Sequence, residues 1–426
     1  MLTLAQREKK SSACTNRWLF WLLLAVLYTP AIRIPGGIPI RVDDLLVFGC
    51  GAAVAGRYLL RLESPRLDAM FYYSAAVAGT ILLSTLTVPD GLGLEVTVKD
   101  YLDVLRPVKF LLVYWLVRDA NPAASRQIWI RTISQSAYVM LGIVFVEMLF
   151  ARVAPGSVVV RFFSLFTEKP PELLVDMMAM RPFATFNTPT DLGYVAVLLL
   201  FTAPLIRSRR SRNALIAVSF LILLCTATRT MLFSLPLLLL LRATLAGQTM
   251  KEKFKRLRTC LATVVLAGVA TIVFLPLISP HSADFTQSMI AAVASGDTDE
   301  QDSITTRMNN LNLVAYTWQQ APLTGVGSRS LLPDFVDSEI IMTFHRYGVI
   351  GMAALLFIYP LGFWMARQVA ASDRELSLFA AMALSSTFLI GITQGALINS
   401  RTGVLIFVVL GLLRSRQIHE LGGKQL

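Results

Sequence analysis

Long apolar runs, separated by short polar stretches, recur along almost all of this 426-residue chain. A bilayer core of about 30 Å requires about 20 apolar residues in a helix. With 55% apolar and only 15% charged residues, against roughly 25% charged in soluble domains, a soluble enzyme, a disordered tail and a coiled coil are excluded. We predict an all-α polytopic membrane protein, one integral membrane domain over 1–426, with about twelve transmembrane helices. These spans fall at about 18–34, 45–61, 68–88, 103–118, 132–151, 189–206, 213–228, 230–246, 260–278, 338–365, 376–395 and 402–414.

The formal net charge of +12 is explained by topology rather than by nucleic-acid binding. With the N-terminus inside, the basic clusters 207–212 and 251–258 fall in cytoplasmic loops, as the positive-inside rule requires. Basic residues ahead of the apolar run at 18–32 resemble the start of a signal peptide, but no small-residue cleavage site follows. We therefore expect an uncleaved first span and two cytoplasmic termini.

Two external segments are long enough to carry function. The first covers about 152–188, and the second and larger one covers about 279–337, between spans nine and ten. In the second, Ser303 is expected to cap a short helix at about 304–320. Cysteine and histidine residues are few and scattered, so neither a disulfide framework nor a zinc site is expected.

Three arginines lie towards the predicted outer side of the membrane. Arg181 opens Arg-Pro-Phe-Ala-Thr-Phe-Asn, Arg229 joins two apolar runs within Thr-Arg-Thr, and Arg307 begins the short helix. A guanidinium group remains charged and can hold phosphate bidentately. The alternative is that Arg181 and Arg229 are interfacial anchors that extend to the headgroups.

Two carboxylates, Asp337 and Glu339, open the tenth span, where they are candidates for a catalytic base. Stabilisation of the helix N-terminus by their charge is the alternative role. Lesser candidates at membrane depth are Lys99, Asp103, Arg106, Lys109, Asn399 and Arg401.

Between about 180 and 400, these pieces in order resemble the O-antigen polymerase and O-antigen ligase superfamily. The matching pieces are Arg181 to Asn187, Thr228-Arg229-Thr230, Arg307 followed by Pro322-Leu-Thr-Gly-Val-Gly327, and Asp337 to Gly351. The resemblance implies a GT-C-like, metal-independent glycosyltransferase without a cofactor, in a bacterial inner membrane.

The resemblance also implies the substrate and the roles of the candidate residues. The donor would be an oligosaccharide on undecaprenyl pyrophosphate, bound by Arg181, Arg229 and Arg307, with Asp337 and Glu339 acting on the acceptor. A flippase and a chain-length regulator are open as protein partners, and no nucleic-acid partner is expected.

Polymerase is favoured over ligase within this family. The ligase branch usually carries His-Asn where this chain has Asp337-Ser338, and polymerases more often carry an acidic residue there. The arginine-to-glycine spacing from Arg181 to Gly193 does not fit some polymerases, which leaves the role of Gly193 open. The alternative functions are an O-antigen ligase that uses lipid A core and, in another class, a secondary transporter or lipid-linked glycan flippase.

Overall fold

In a computed structural model the described part of the chain is almost entirely helical. It comprises residues 17–34, 38–59, 67–88, 98–166, 174–175, 178–179, 181–226, 228–247, 249–259, 261–262, 311–312, 314–316, 318–327, 338–393, 397 and 400–423. The longer helices are α1 (Arg17–Tyr28), α2 (Val42–Leu59), α3 (Ala69–Leu86), α4 (Val98–Leu102), α5 (Leu105–Arg118), α6 (Pro122–Val153), α7 (Val158–Phe163), α8 (Pro189–Thr202), α9 (Arg209–Thr226), α10 (Arg229–Ala246), α11 (250–259), α12 (Glu339–Leu356), α13 (Ile358–Val369), α14 (Arg374–Thr393) and α15 (Ser400–Gly423).

Five helical segments in the described part are long and apolar enough to cross a membrane. They coincide with the third, fifth, tenth, eleventh and twelfth predicted spans, so the lengths and apolar composition of these five segments agree with the prediction of membrane helices. The total of twelve spans stays a prediction, because the ninth lies almost wholly outside the described residues. The five segments are Ala69–Leu86, Pro122–Val153, Glu339–Val369, Arg374–Ile392 and Arg401–Glu420.

At two of the element boundaries that differ from the predicted spans, a proline explains the difference. The first span was expected to reach residue 34, but α1 ends at Tyr28, ahead of Pro30, and β1 (Ala31–Ile34) pairs with β2 (Ile38–Arg41). The residue before a proline disfavours helical geometry. Helix α6 begins about ten residues before its predicted start, because Pro122 occupies the first helical position, where a missing N–H is tolerated.

The chain divides into two compact units that are each built from three stretches of sequence. The first unit takes its described residues from Met1–Ala31, Ala123–Asp297 and Ala366–Ile390. Within it, α8 packs against α9 and α10, and nearly every residue of α8 is buried. A helix that is apolar on all sides belongs in the interior of a bundle, so α8 is the central helix of this unit's described core.

The second unit takes its described residues from Ile32–Pro122, Thr298–Met365 and Gly391–Leu426. Helix α5 packs against α2, α3 and α15, while α3 also packs against α12. The aromatic rings of Phe110 on α5 and Phe407 on α15 stack with their centroids 5.0 Å apart. This unit therefore joins helices that are more than 280 residues apart in sequence.

The described part of the first long segment that was predicted to be external has an apolar core of its own. Short helix α7 supplies Val160 and Phe163, which are buried together with Phe166, Leu174, Met178 and Phe183. Burial of side chains of this size typically contributes about 1.5–3 kcal/mol each. The chain is thus held in place as it approaches Arg181.

Candidate functional site

The segment that begins with Arg181 is fixed by a carboxylate inside α6. Glu147 is fully buried, and its two carboxylate oxygens accept hydrogen bonds from the backbone N–H groups of Phe183, at 3.1 Å, and Ala184, at 2.7 Å. Ala184 has a positive φ of 52°, a conformation that L-residues adopt only when their surroundings impose it. Glu147 was not among the predicted site residues, although its charge within an apolar run was a visible signal.

Side chains within the same segment add further attachments. The hydroxyl group of Thr185 donates a hydrogen bond to the carbonyl oxygen of Leu27 on α1, 2.5 Å away. Phe183 and Phe186 are fully buried. These contacts hold the loop that begins with Arg181, and Arg181 itself is half-buried.

The structure brings Arg181 to the turn that leads into Arg229. The Nε–H group of Arg181 donates to the carbonyl oxygen of Thr226, the last residue of α9, at 3.4 Å. Arg229 begins α10 three residues later; its backbone is described, and its side chain lies outside the described atoms. The two arginines that the resemblance assigns to one pyrophosphate thus belong to neighbouring backbone segments of one unit.

Thr228 fixes the start of α10 against α8. Its hydroxyl group donates to the carbonyl oxygen of Pro189 at 3.1 Å, and its side chain makes no capping hydrogen bond to α10. The first turn of a helix presents N–H groups that have no partner within the helix, and these favour anions. The end of α10 that carries Arg229 therefore has the polarity that a phosphate group requires.

The packing between α8 and α10 gives Gly193 a structural role. A Cβ atom at this position would lie 3.0 Å from Thr228 Oγ1, 3.1 Å from Thr228 Cβ and 3.2 Å from Met231 Cγ. These distances are tighter than ordinary van der Waals contact, so a larger residue would push α10 away from α8. Gly193 allows the close approach that places the Thr228 turn beside Pro189. This packing role does not depend on the number of residues between Arg181 and Gly193.

Of the two predicted carboxylates, Glu339 is described and Asp337 is not. Glu339 is the first residue of α12 and is 3% exposed. Its Oε2 atom accepts a hydrogen bond from the backbone N–H of Leu397 at 3.0 Å. A Cβ atom on Gly391 would lie 3.0 Å from the same oxygen, so the glycine leaves room for the carboxylate. Arg307 also lies outside the described residues.

Helix α12 is broken at Gly348, and a glycine-rich turn fills the break. Gly348 has φ 63° and ψ −163°, outside the helical region. The N–H groups of Val349 and Ile350 donate to the carbonyl oxygens of Pro322 and Leu323 at 3.1 and 3.2 Å. In a straight helix they would donate to the residues four positions earlier, so the turn replaces two helical hydrogen bonds.

The carbonyl groups released by the break are also paired. His345 O accepts from the N–H of Val326 at 3.1 Å, and Arg346 O accepts from the N–H of Gly327 at 2.9 Å and from the hydroxyl of Ser84 at 2.5 Å. Unpaired backbone groups are costly within a bilayer. The Pro322–Gly327 turn, which the resemblance included among its motifs, thus has the role of completing α12.

A buried group of charges at one end of α5 was only partly predicted. Lys109 Nζ lies 2.5 Å from Asp43 Oδ2 and 2.5 Å from Asp44 Oδ1. Asp43 Oδ1 lies 3.0 Å from Arg41 Nε, and Asp43 and Lys109 are 0% and 3% exposed. Lys109 was one of the lesser candidates. Its partners Asp43 and Asp44 were not predicted. They lie in the first turn of α2, where stabilisation by the helix dipole is already a sufficient reason for an acidic residue.

An enclosed cavity lies in the second unit among α3, α5, α12 and α15. Its volume is about 40 Å³, and Tyr73, Tyr347 and Arg106 are among its mainly apolar lining residues. This mainly apolar lining offers few hydrogen-bond partners for the hydroxyl groups of a sugar. The polar partners of a glycan must therefore be sought elsewhere.

Within the described ranges, no group of three His, Cys, Asp or Glu side chains is arranged to hold a metal ion; Asp337 and residues 263–310 lie outside those ranges. No protein-family model matches the chain, and a search of curated proteins finds no significant match.

Proposed function

We propose that the protein is a membrane glycosyltransferase that polymerises oligosaccharide repeat units carried on undecaprenyl pyrophosphate. The product would be O-antigen or exopolysaccharide, assembled on the periplasmic face of a bacterial inner membrane. The helices that are long and apolar enough to cross a membrane support the location of the substrate, since a polyprenyl donor is held in the bilayer. The order of the motifs between residues 180 and 400 supports the choice of reaction.

The observation that carries the proposal is the convergence of Arg181 with the start of α10. Two arginines 48 positions apart in sequence stand on segments joined by the hydrogen bond from Arg181 to Thr226. Glu147 and Thr228 hold these two segments through backbone contacts. A simple lipid anchor needs no such support, whereas a preorganised site for developing negative charge does.

In the proposed reaction, an acceptor hydroxyl group attacks the anomeric carbon of the donor sugar. The bond from that carbon to the pyrophosphate oxygen breaks, and its electron pair leaves with undecaprenyl pyrophosphate. We assign Arg181 and Arg229 to that leaving group, with Arg307 as a third contact to the glycan or pyrophosphate. Fixed positive charges where negative charge develops lower the barrier without any reorganisation.

The acceptor hydroxyl must transfer its proton to a base. We assign Asp337 as that base. Glu339 is the second choice for it, and because its carboxylate already holds the N–H of Leu397, we also assign it to positioning the start of α12. Attack on the side opposite the leaving group inverts the anomeric centre, and NMR of the linkage in the product would reveal retention if this stereochemistry were wrong.

The test is polymerisation by the purified protein in nanodiscs, with lipid-linked repeat units as the only substrate and with a chelator present. Wild-type protein should produce a ladder of longer lipid-linked glycans. Arg229→Ala and Arg181→Ala should each lower the rate about 10²- to 10³-fold, the usual effect of removing one oxyanion contact. Arg161→Ala is the matched control, because Arg161 is exposed on short helix α7.

Three results would contradict the proposal. A normal ladder in both arginine variants would remove these residues from the reaction. Transfer only after lipid A core is added would make the protein a ligase. Failure of both assays, with movement of the lipid-linked glycan across the bilayer, would make it a transporter or flippase.

A further inference from the structure

Helix α11 carries an exposed apolar stripe that the proposed reaction does not use. Met250, Phe254, Leu257 and Leu261 recur at spacings of four, three and four residues, which places them on one side of a helix. Residues 261–262 are helical as well. Met250, Phe254 and Leu261 are 65%, 64% and 55% exposed. Large apolar side chains that are exposed in a stripe indicate a surface covered by another phase or partner.

Basic residues border this stripe on both sides. Lys253 flanks one edge, while Lys251 and Arg258 flank the other, when successive residues are turned by 100° around the helix axis. From 249 to 262 the chain has five basic residues and one acidic residue, Glu252. The combination of an apolar stripe with a basic border is typical of helices that lie in the membrane interface.

The opposite side of α11 faces its own unit. Arg242 and Ala246 of α10, together with Glu252, Lys255 and Arg256 of α11, line an open gap of about 540 Å³. Ala246 O at the end of α10 accepts a hydrogen bond from Arg374 Nη2 at 2.6 Å. The polar side of α11 is thus turned towards α10, and the apolar stripe is turned away from it.

We propose that α11 binds the anionic phospholipid surface of the cytoplasmic leaflet. The stripe would insert among the acyl chains, while Lys251, Lys253 and Arg258 would contact the headgroup phosphates with their long side chains. The positive-inside rule places this cluster at the cytoplasmic end of α10. The charge excess of α11 favours a lipid surface of negative charge over a neutral one.

The depth of α11 can be measured by spin labelling of the full chain in nanodiscs. A nitroxide is attached at Phe254→Cys, on the stripe, or at Thr259→Cys, on the side towards α10, after the native cysteines are replaced by serine. In bilayers that contain phosphatidylglycerol, the label at 254 should collide more with oxygen than with a water-soluble nickel complex. The label at 259 should show the opposite preference.

The contribution of charge is tested by changing the lipid and the basic border. With Lys251, Lys253 and Arg258 all replaced by Gln, the preference for phosphatidylglycerol over phosphatidylcholine should fall, by about fivefold for each charge removed. The matched control replaces Arg207, Arg209 and Arg212 by Gln in another predicted cytoplasmic loop, and it should leave the label at 254 unchanged.

Each possible result decides the proposal. Equal access of the nickel complex to both labels would show that α11 lies in water. Protection of the label at 254 from both reagents would show that a protein covers the stripe. Equal insertion into neutral and anionic bilayers would remove the anionic lipid from the proposal. None of these readouts depends on glycosyl transfer, so the reaction and the lipid contact can fail separately.

Discussion

At the scale of single residues, Glu147 and Lys109 are buried charged residues, and each contacts two groups elsewhere in its own unit. Glu147 binds two backbone N–H groups of the Arg181 segment, and Lys109 binds two aspartates at the start of α2. Ionisable residues at membrane depth are rare and are usually retained for function or for a pairing. In both cases the charge joins two separate parts of one unit.

Glu147→Gln tests whether this carboxylate holds the Arg181 segment. Glutamine has one acceptor oxygen, so one of the two N–H groups, of Phe183 or Ala184, would face an NH₂ group instead. The free energy of unfolding should fall by about 1–3 kcal/mol, as expected for an unpaired buried donor. The proposed polymerisation activity should fall as well, because Arg181 loses its position. Thermal denaturation in detergent and the ladder assay measure the two effects.

The control for this change is Glu375→Gln. Glu375 is half-exposed and lies 3.9 Å from Arg242, a separation at which an exposed ion pair contributes little. Equal effects of the two substitutions on stability and activity would show that Glu147 has no special role in holding the segment.

Lys109→Met should destabilise the second unit strongly. It removes the cation shared by Asp43 and Asp44, and breaking a buried ion pair typically costs about 3–5 kcal/mol. Arg106→Met is the matched control on the same helix, since Arg106 pairs with Asp103 at 2.9 Å where both side chains are partly exposed, and its loss should cost about 0–1 kcal/mol. Denaturation midpoints that fall equally in the two variants would contradict this assignment.

Part of the site could be predicted from residues in sequence and part could not. Arg181 and Arg229 each stand out locally, because a charged side chain at the end of an apolar run is rare unless it has a partner to bind. Glu147 binds main-chain N–H groups, which every residue except proline has. Such a contact leaves no pattern in side-chain types, so only the structure could join Glu147 to Phe183 and Ala184.

At the scale of elements, helix α12 depends on the turn that fills its break. Gly348 has a positive φ, and a Cβ atom there would lie 2.3 Å from Leu323 O. Gly325, with φ 71°, is equally constrained, since a Cβ atom would lie 2.4 Å from the Arg346 carbonyl. The two glycines face each other because two backbones meet where side chains cannot fit.

Gly348→Ala should therefore disrupt the junction between α12 and the Pro322–Gly327 turn. The substitution should reduce the stability of the folded protein, because alanine would adopt an unfavourable backbone conformation and its Cβ atom would clash directly. The denaturation midpoint should fall sharply. Gly142→Ala in α6 is the control, because no heavy atom lies within 4 Å of the added Cβ. There alanine should be neutral or stabilising by up to about 1 kcal/mol. Similar midpoints in the two variants would contradict the close approach at Gly348.

At the scale of the whole molecule, apolar run length predicted several long apolar helices. Five of the predicted spans coincide with helical segments of sufficient length and hydropathy, since hydrophobic length is a local property. The division into two units could not be predicted, because α5 packs against α15 and α3 packs against α12 through contacts between distant parts of the sequence. The predicted orientation rests on the distribution of basic residues and calls for a direct measurement.

Cysteine labelling in intact cells tests that orientation. Gly156→Cys lies in the first long segment, and Ser208→Cys lies in the basic cluster 207–212; both positions are exposed. A membrane-impermeant maleimide applied outside should label residue 156 at once and residue 208 only after permeabilisation. The chain with its native cysteines replaced by serine is the control, and the reverse pattern would invert the proposed topology.

The break in α12 has a consequence for synthesis of the chain on the ribosome. Every described partner of the backbone groups that the break at Gly348 leaves without helical hydrogen bonds precedes Gly348 in sequence. Ser84 lies in α3, and the remaining partners lie between Pro322 and Gly327. A nascent chain thus carries these described partners before the interrupted segment leaves the ribosome. Because these partners are synthesised first, they are available to the discontinuous helix as soon as it is made.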